Sequence, residues 1–187
     1  MASRKERLQS ELLVLRYRSG DNGALAELVS LWERPLLYYI RRLVDSEEDA
    51  WDLLQDVWCR LIRNVGTLRN PAALPAWLYA IARNTVCNHL RDTRHIKELR
   101  DWAADADAVN GVAEVSFPAV DAEELHWALE RLSHAHREAL ILHFLEGFSL
   151  AEIAAIVGAP VGTVKSRLHH AKRALRTVLE KEEQCHE

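Results

Sequence analysis

Three aspartates, Asp49, Asp52 and Asp56, recur at a spacing that places them on one face of a helix, so this carboxylate row is a first candidate for metal chemistry. A single straight helix cannot wrap oxygen ligands around an ion, and no histidine joins the row. We therefore do not predict a calcium or magnesium site. The open interpretations are a solvated acidic face or a docking face for a basic partner helix.

Nine histidines and three cysteines are the other residues that could bind a metal or act as nucleophile or base. On a helix, the side chains of His134 and His136 point in different directions, and so do those of the adjacent His169 and His170. No HExxH, GxSxG or Walker motif accompanies them. The cysteines form no CxxC pair, so neither a disulfide framework nor a zinc finger is supported. We predict no enzyme, no metal and no other cofactor.

The segment from Ser149 to Arg176 combines capping, turn and charge signals, and it predicts a helix-turn-helix. Ser149 and Glu152 form a capping-box pattern at a helix start. Gly158 can take the left-handed conformation beyond the helix end, and Pro160 cannot continue that helix. The chain is therefore expected to turn before a second helix.

The second helix of this motif carries a basic face. Five Lys or Arg and no acid lie between residues 165 and 176, which favours phosphate binding. Val164, Leu168, Ala171 and Leu175 form the apolar stripe, which places Ser166, His169, Arg173 and Arg176 on the opposite face. A solvated amphipathic helix is the alternative, but the tight turn and the small residues near the helix start favour DNA binding.

Helical spacing recurs along almost the whole chain, which predicts an all-α fold. Helices are expected at 8–18, at 24–44 with an interruption or kink at Pro35, at 47–64 after the Ser46–Asp49 cap, and from the Pro71–Pro75 segment to about residue 97. After a cap formed by Asp121 and Glu124, four more helices are expected, one of them from His134 to about Glu146.

Charge divides the chain into two helical domains joined by an acidic, flexible linker. Residues 98–123 hold seven acids and one base, although the net charge of the chain is only −4. The predicted domains are 1–97 and 121–187, with the linker at 98–120.

No run of 18 apolar residues and no signal-peptide core occurs, so we expect a cytoplasmic protein without membrane insertion. The Cys185-His186 pair lies in a charged tail for which a frayed terminus is expected, and a weak metal or redox role is the open alternative.

The segment from Trp77 to Lys97 mixes aromatic, amide and basic side chains. This combination suits single-stranded nucleic acid, because unstacked bases pack on aromatic faces and amides bind their edges. Taken alone, Trp77 and Tyr79 are more often core residues than nucleic-acid contacts.

Three motifs in order, DAWDLLQDVW, WLYAIARN and GTVKSRLHHAKRAL, resemble the extracytoplasmic function (ECF) sigma factors of bacterial RNA polymerase. The resemblance covers residues 12–97 and 122–180. It implies a promoter-specificity subunit that binds core RNA polymerase, binds −35 duplex DNA and opens the −10 element. It also implies promoter DNA and an anti-sigma factor as partners.

The resemblance assigns a role to three groups of residues in this sequence. For core-polymerase binding they are Asp49, Asp52, Leu53, Gln55, Asp56 and Trp58. For the −10 element they are Val65, Gly66, Thr67, Leu68, Arg69, Asn70, Trp77, Arg83, Asn84, Asn88 and Arg91. For the −35 element they are Thr163, Lys165, Ser166, Arg167, His169, His170 and Arg173.

The chain departs from the family pattern at four positions. Trp51 replaces a usual acid, Asn88 a frequent Asp, and His170 and Lys172 stand where Arg is common. Arg can bind guanine through two hydrogen bonds, whereas His offers fewer and depends on protonation. The −35 preference is therefore expected to be unusual.

Two other interpretations compete with this one. The first is a self-sufficient helix-turn-helix regulator that binds palindromic DNA as a dimer; the second is an enzyme that uses the histidines. For the linker, Asp101, Asp105, Asp107 and Glu114 could mimic phosphates in the polymerase cleft, or the linker could be a solvated tether.

Overall fold

The computed structural model describes residues 4–92 and 122–183, and both ranges are helical without a strand. The all-α prediction is therefore confirmed for the described residues. The predicted linker at 98–120, the predicted cap at Asp121 and the Cys185-His186 pair lie outside them. No helix within the two ranges is long and apolar enough to cross a membrane.

Four helices form the N-terminal domain: α1 (Arg4–Arg18), α2 (Gly23–Arg41), α3 (Glu47–Asn64) and α4 (Leu74–Asp92). Two short 3₁₀ turns, Val65–Thr67 and Pro71–Ala73, connect α3 to α4. The N-cap of α3 is Ser46, whose hydroxyl accepts the Asp49 backbone N–H at 3.2 Å. Each helix packs against the next one along the chain.

The prediction at Pro35 was an interruption or a kink: α2 runs through this residue, so the interruption is wrong, and the kink stays a prediction. An interior proline removes one backbone hydrogen bond and costs about 3 kcal/mol. The buried side chains Trp32, Leu36 and Tyr39 flank Pro35 on this helix. Their packing compensates for the local cost.

The C-terminal domain contains α5 (Ala122–Glu130), α6 (His134–Leu140), α7 (Leu150–Val157) and α8 (Val161–Glu183). Ser133 caps α6, which ends as a π-helical turn over Ile141–Leu145. The predicted helix from His134 to about Glu146 is thus present, although its last part is wound more widely than an α-helix. Helices α6 and α7 both pack on α8.

The helix-turn-helix forms as predicted from Ser149 and Gly158. Ser149 and Glu152 make both hydrogen bonds of the capping box at the start of α7. Gly158 follows α7 with φ of 68°, a left-handed conformation that favours glycine. The stripe of Val164, Leu168, Ala171 and Leu175 on α8 is buried.

One hydrophobic core runs through both domains. Tyr79 from α4 is fully buried in this core, and its ring centroid lies 5.0 Å from that of Tyr39 and 4.8 Å from that of Phe148 in the C-terminal domain. Helix α4 also packs directly against α7. The two domains are thus closed against each other, which the sequence did not predict.

Candidate nucleic-acid interface

The acidic face of α3 points mainly to solvent. Asp52, Gln55 and Asp56 are exposed, and Asp49 lies with its Oδ2 3.5 Å from Nε2 of His89 on α4. The periodicity of the core requires Leu53 to point inward, and this side chain is buried. The described residues contain no group of three or more His, Cys, Asp and Glu side chains that could hold a metal.

Two large apolar residues accompany this face. Trp58, one of the predicted docking residues, is partly buried against the core. Trp51, which replaces an acid of the family pattern, is 41% exposed. The surface of α3 therefore combines carboxylates with the exposed Trp51 ring and part of the Trp58 ring.

The loop between α3 and α4 presents most of its predicted residues to solvent. Gly66, Thr67, Arg69 and Asn70 are exposed and Leu68 is half-buried. Val65, in contrast, is fully buried and belongs to the core. Its burial anchors the loop, so Val65 can act on a ligand only by positioning its neighbours.

The loop shape depends on its own polar side chains. Asn70 Oδ1 accepts the Ala72 N–H at 3.1 Å, which caps the 3₁₀ turn before α4. Thr67 donates from Oγ1 to the Asn64 carbonyl oxygen at 2.7 Å. These bonds fix the loop next to the start of α4.

Helix α4 carries its predicted binding residues on two different faces. Asn84, Asn88 and Arg91 are exposed on one face, and the half-buried Trp77 shares that face by helical spacing. Arg91 donates from Nη1 to Asn88 Oδ1 at 3.4 Å.

The other face of α4 includes Tyr79 and Arg83. Arg83 Nε donates to both carboxylate oxygens of Glu138 on α6, at 3.1 and 3.3 Å. Of the residues predicted for the −10 element, Arg83 is thus engaged with the C-terminal domain.

On α8, the predicted contact residues differ in accessibility. Lys165 and Arg173 are exposed, and Thr163, His169 and His170 are half-buried. Ser166 and Arg167 are 3% and 5% exposed, so the prediction that Ser166 lies on an exposed face is wrong for this conformation. Helical periodicity identifies one buried stripe, but it cannot indicate that a second side of the helix is covered as well.

The domain boundary contains two buried carboxylates that the sequence analysis did not identify as functional. Glu138 and Glu146 are 0% and 4% exposed. Glu138 accepts from Tyr39 Oη at 2.8 Å, and Glu146 accepts from Tyr79 Oη at 2.6 Å. Both acids lie in the apolar run EALILHFLEGF, and an acid in such a run is itself a signal of a buried polar contact.

The ionisation of these groups follows from burial. Desolvation, and next the nearby carboxylate, raise the pKa of Tyr39 and of Tyr79 well above its ordinary value. Both phenols therefore remain protonated donors. Burial also raises the pKa of Glu146, and the hydrogen bond from Tyr79 opposes that shift.

Further polar contacts border this boundary. Arg7 on α1 forms an ion pair with Glu152 of the capping box, and its guanidinium lies 5.2 Å from the centroid of the Phe148 ring. Arg137 donates to the Arg42 carbonyl oxygen at 3.0 Å.

Family models match both halves of the chain. The model described as Sigma-70 region 2 matches residues 28–96, and the model described as Sigma-70, region 4 matches residues 122–175. The first match includes α3, the loop and α4; the second includes the helix-turn-helix and most of α8.

Two relatives match almost the whole chain. The RNA polymerase sigma-H factor of Pseudomonas aeruginosa is 32% identical over 182 residues, which are 92% of this chain and 94% of the relative. The ECF RNA polymerase sigma-E factor of Escherichia coli K12 is 33% identical over 184 residues, with 91% and 94% covered.

Two solved structures have the same fold. The sigma factor RpoE of Bartonella quintana, in complex with the anti-sigma factor NepR, has a TM-score of 0.64 at 29% identity, with 83% of this chain and 96% of that chain covered. CnrH, in complex with the cytosolic domain of CnrY, has a TM-score of 0.67 at 22% identity, with 93% and 99% covered. The chain therefore belongs to the extracytoplasmic function sigma factors, the non-enzymatic subunits that direct transcription initiation by bacterial RNA polymerase.

Proposed function

We propose that the exposed surfaces of the two domains divide the work of a promoter-specificity subunit. The domains are assigned to residues 1–97 and 121–187, with residues 98–120 as the linker between them. The observation that carries this proposal is the presence of both sigma regions in one chain, matched over nearly its full length to sigma factors. These matches favour the sigma subunit over a self-sufficient helix-turn-helix regulator.

The acidic face of α3 is the proposed docking surface for core polymerase. Its exposed carboxylates, Asp52 and Asp56, together with Gln55, fit a basic helical partner, since charge complementarity speeds and orients association. Trp51 and the exposed part of Trp58 add apolar area beside the charges. Buried Leu53 supports this surface from the core.

The loop and the solvent face of α4 are the proposed −10 site. The exposed amides of Asn70, Asn84 and Asn88 can bind base edges, and Arg69 and Arg91 can neutralise phosphates. Trp77 supplies a partly exposed aromatic face against which an unstacked base can pack. This chemistry fits single-stranded DNA in an opened −10 element.

Helix α8 is the proposed −35 site. Lys165 and Arg173 are exposed cations suited to phosphates, while Thr163, His169 and His170 are close enough to the surface for base contacts. Because the whole chain has a net charge of −4, the free chain is expected to bind DNA only weakly without polymerase.

We also infer that an anti-sigma factor restrains this chain in the cytoplasm. The Bartonella quintana structure pairs a sigma factor with such a protein. A restraint of this kind would compete with core polymerase for exposed surfaces such as α3.

The central experiment is run-off transcription with purified core polymerase on genomic promoter fragments, with start sites mapped. The chain should direct initiation at defined sites and should bind those promoters only weakly by itself. Equally tight promoter binding by the free chain and by its polymerase complex would contradict the proposed function.

A paired variant tests the docking surface. Asp52→Asn/Asp56→Asn should weaken core binding about 5- to 30-fold at low salt, since each exposed charge pair contributes up to about 1 kcal/mol. Glu33→Gln on α2 is the matched control, because Glu33 is also exposed. Equal core affinities of the double variant and the control would remove α3 from the docking surface.

A further inference from the structure

Three leucines on α1 form an exposed apolar row. Leu8, Leu12 and Leu15 follow one another at spacings of four and three residues, which places them on one side of the helix. They are 56%, 57% and 53% exposed, more than any other large hydrophobic side chain among the described residues. A single exposed leucine is ordinary, whereas a contiguous apolar patch is typical of an interaction surface.

The opposite side of α1 already belongs to the core. Leu13 and Val14 are buried there, and Ser10 Oγ accepts the indole N–H of Trp32 at 2.9 Å. The helix is thus apolar on two opposite sides, and the leucine row is the side that stays exposed. Because a helix that is apolar all round is normally buried all round, this row is suited to a partner.

The spacing of the leucine row fits one particular kind of partner, a second helix. Alternating steps of four and three residues are the repeat along which two helices pack side by side. Lys5 and Ser19 occupy the next positions of this repeat, so the apolar part is limited to the three leucines. The row also lies outside the surfaces proposed for polymerase and DNA, which are on α3, α4 and α8.

The charges beside the row indicate what the partner helix carries. Glu11 and Arg18 are seven residues apart and therefore lie on the same edge of the row; Arg18 is exposed and Glu11 is half-buried. Neither forms an ion pair with another described residue. On the other edge, Arg16 is already bound to Asp21 and Glu27, at 2.6 and 2.9 Å. One edge of the row thus offers both an acid and a base.

An antiparallel copy of the same helix matches this pattern. With a two-fold axis between Leu12 and Leu15, each Leu12 lies level with Leu15 of the second copy. Antiparallel packing brings the same edges together, so Glu11 of each copy lies about two residues, or about 3 Å along the axis, from Arg18 of the other. A parallel copy would instead bring Glu11 to Arg16, whose guanidinium is already engaged.

We propose that the leucine row of α1 is a self-association surface on which a second copy of this chain docks antiparallel across a two-fold axis. Two layers of Leu12 against Leu15 form its centre, and two Glu11–Arg18 pairs form its edges. An interface of three leucines per copy falls in the small, transient class below about 1,200 Å². The free chain is therefore a monomer at low concentration and a dimer at high concentration, whether or not the sites proposed above bind polymerase and DNA.

The test is sedimentation velocity of the full-length chain from about 1 to 500 μM, a range suited to a transient interface. The variant Leu12→Gln/Leu15→Gln removes the apolar centre. Ile62→Gln is the matched control, because Ile62 on α3 is 50% exposed and lies outside the row. The wild type and the control should shift toward the dimer as concentration rises, whereas the dissociation constant of the double variant should increase at least about 30-fold.

A charge exchange tests the antiparallel register. Glu11→Arg and Arg18→Glu should each weaken the dimer about 3- to 30-fold at low salt, since each places like charges opposite one another twice. The combined variant Glu11→Arg/Arg18→Glu should restore the wild-type dissociation constant. This rescue is specific to a second copy in the antiparallel arrangement. Circular dichroism checks the helix content of each variant; should the leucine double variant lose helicity, the charge exchange carries the test.

Three results would overturn the proposal. The first is a wild-type chain that remains monomeric over the whole concentration range. The second is a dimer that persists in the folded leucine double variant, and the third is a charge exchange that fails to restore association. Flotation of a monomeric wild type with phosphatidylglycerol vesicles, lost in the leucine double variant, would assign the row to a lipid surface instead. Run-off transcription is independent of each of these outcomes, so none of them decides the proposed function.

Discussion

Removal of the helix cap at Ser149 should measurably destabilise the protein. Ser149 Oγ accepts the Glu152 N–H at 3.3 Å, and Glu152 Oε2 accepts the Ser149 N–H at 2.8 Å. Loss of an N-cap hydroxyl typically costs about 1 kcal/mol. For a chain of this size, that corresponds to a fall in Tm of about 2–4 °C for Ser149→Ala.

Glu152→Ala should cost more than Ser149→Ala, because Glu152 has a second partner. Its carboxylate also pairs with Arg7 across the domain boundary. Both side chains are about one-third exposed, at 28% and 32%, so water screens the pair and it contributes about 0.5 kcal/mol. The expected total is about 1.5 kcal/mol, or a fall in Tm of about 3–6 °C.

A double-mutant cycle measured by urea unfolding separates the two contributions. Arg7→Ala combined with Glu152→Ala should show a coupling energy of about 0.5 kcal/mol. Arg7→Ala combined with Ser149→Ala should be nearly additive, since Arg7 makes no direct bond to Ser149 in the described structure. Additivity in the first cycle would refute the interdomain role of Glu152, and an unchanged Tm for Ser149→Ala would refute the cap.

Three further predictions follow from single residues. His170→Arg should strengthen or shift −35 recognition, because arginine can bind guanine through two hydrogen bonds; promoter selection with holoenzyme measures this, and unchanged selectivity would exclude His170 from the site. Ser10→Ala should lower the free energy of unfolding in urea by about 1–3 kcal/mol. The buried indole N–H of Trp32 donates to Ser10 Oγ at 2.9 Å and would lose this acceptor. A loss below about 0.5 kcal/mol would contradict this. Burial is the largest cause that raises the pKa of Glu146 above its ordinary 4.5, so the folded state binds the proton more tightly than the unfolded state. The free energy of unfolding should therefore decrease as pH rises from 4.5 through the raised pKa. Glu146→Gln should flatten this dependence of stability on pH, and equal slopes for the variant and the wild type would show that Glu146 does not cause it.

Helix ends could be predicted because their signals lie within a few residues of each other. Ser46 begins α3 and Ser149 begins α7, each through a hydroxyl that accepts a backbone N–H three residues later. Gly158 ends α7 because it can adopt a positive φ. Pro35 is the exception, since its local penalty is compensated by tertiary packing that the sequence pattern does not show.

Contacts between the domains could not be predicted from local patterns. Arg83 and Glu138 are 55 residues apart in sequence, and Tyr39 and Glu138 are 99 apart. Periodicity indicates that a helix has a buried face, but it does not identify what covers it. The same limit explains Ser166 and Arg167, which lie off the apolar stripe of α8 and are nevertheless buried.

The division of α4 into two faces separates the predicted −10 site from the domain boundary. Asn84, Asn88 and Arg91 lie on the solvent face, whereas Tyr79 and Arg83 lie one helical turn apart on the face that contacts the C-terminal domain. The packing of the two domains therefore leaves most of the −10 face accessible. Tyr79→Phe should lower the stability of the protein, because it removes the donor to buried Glu146, and it should leave the −10 sequence preference unchanged. Asn88→Ala should change the −10 preference with little effect on stability, and a Tyr79→Phe variant with altered −10 preference would show that the two faces are not separable.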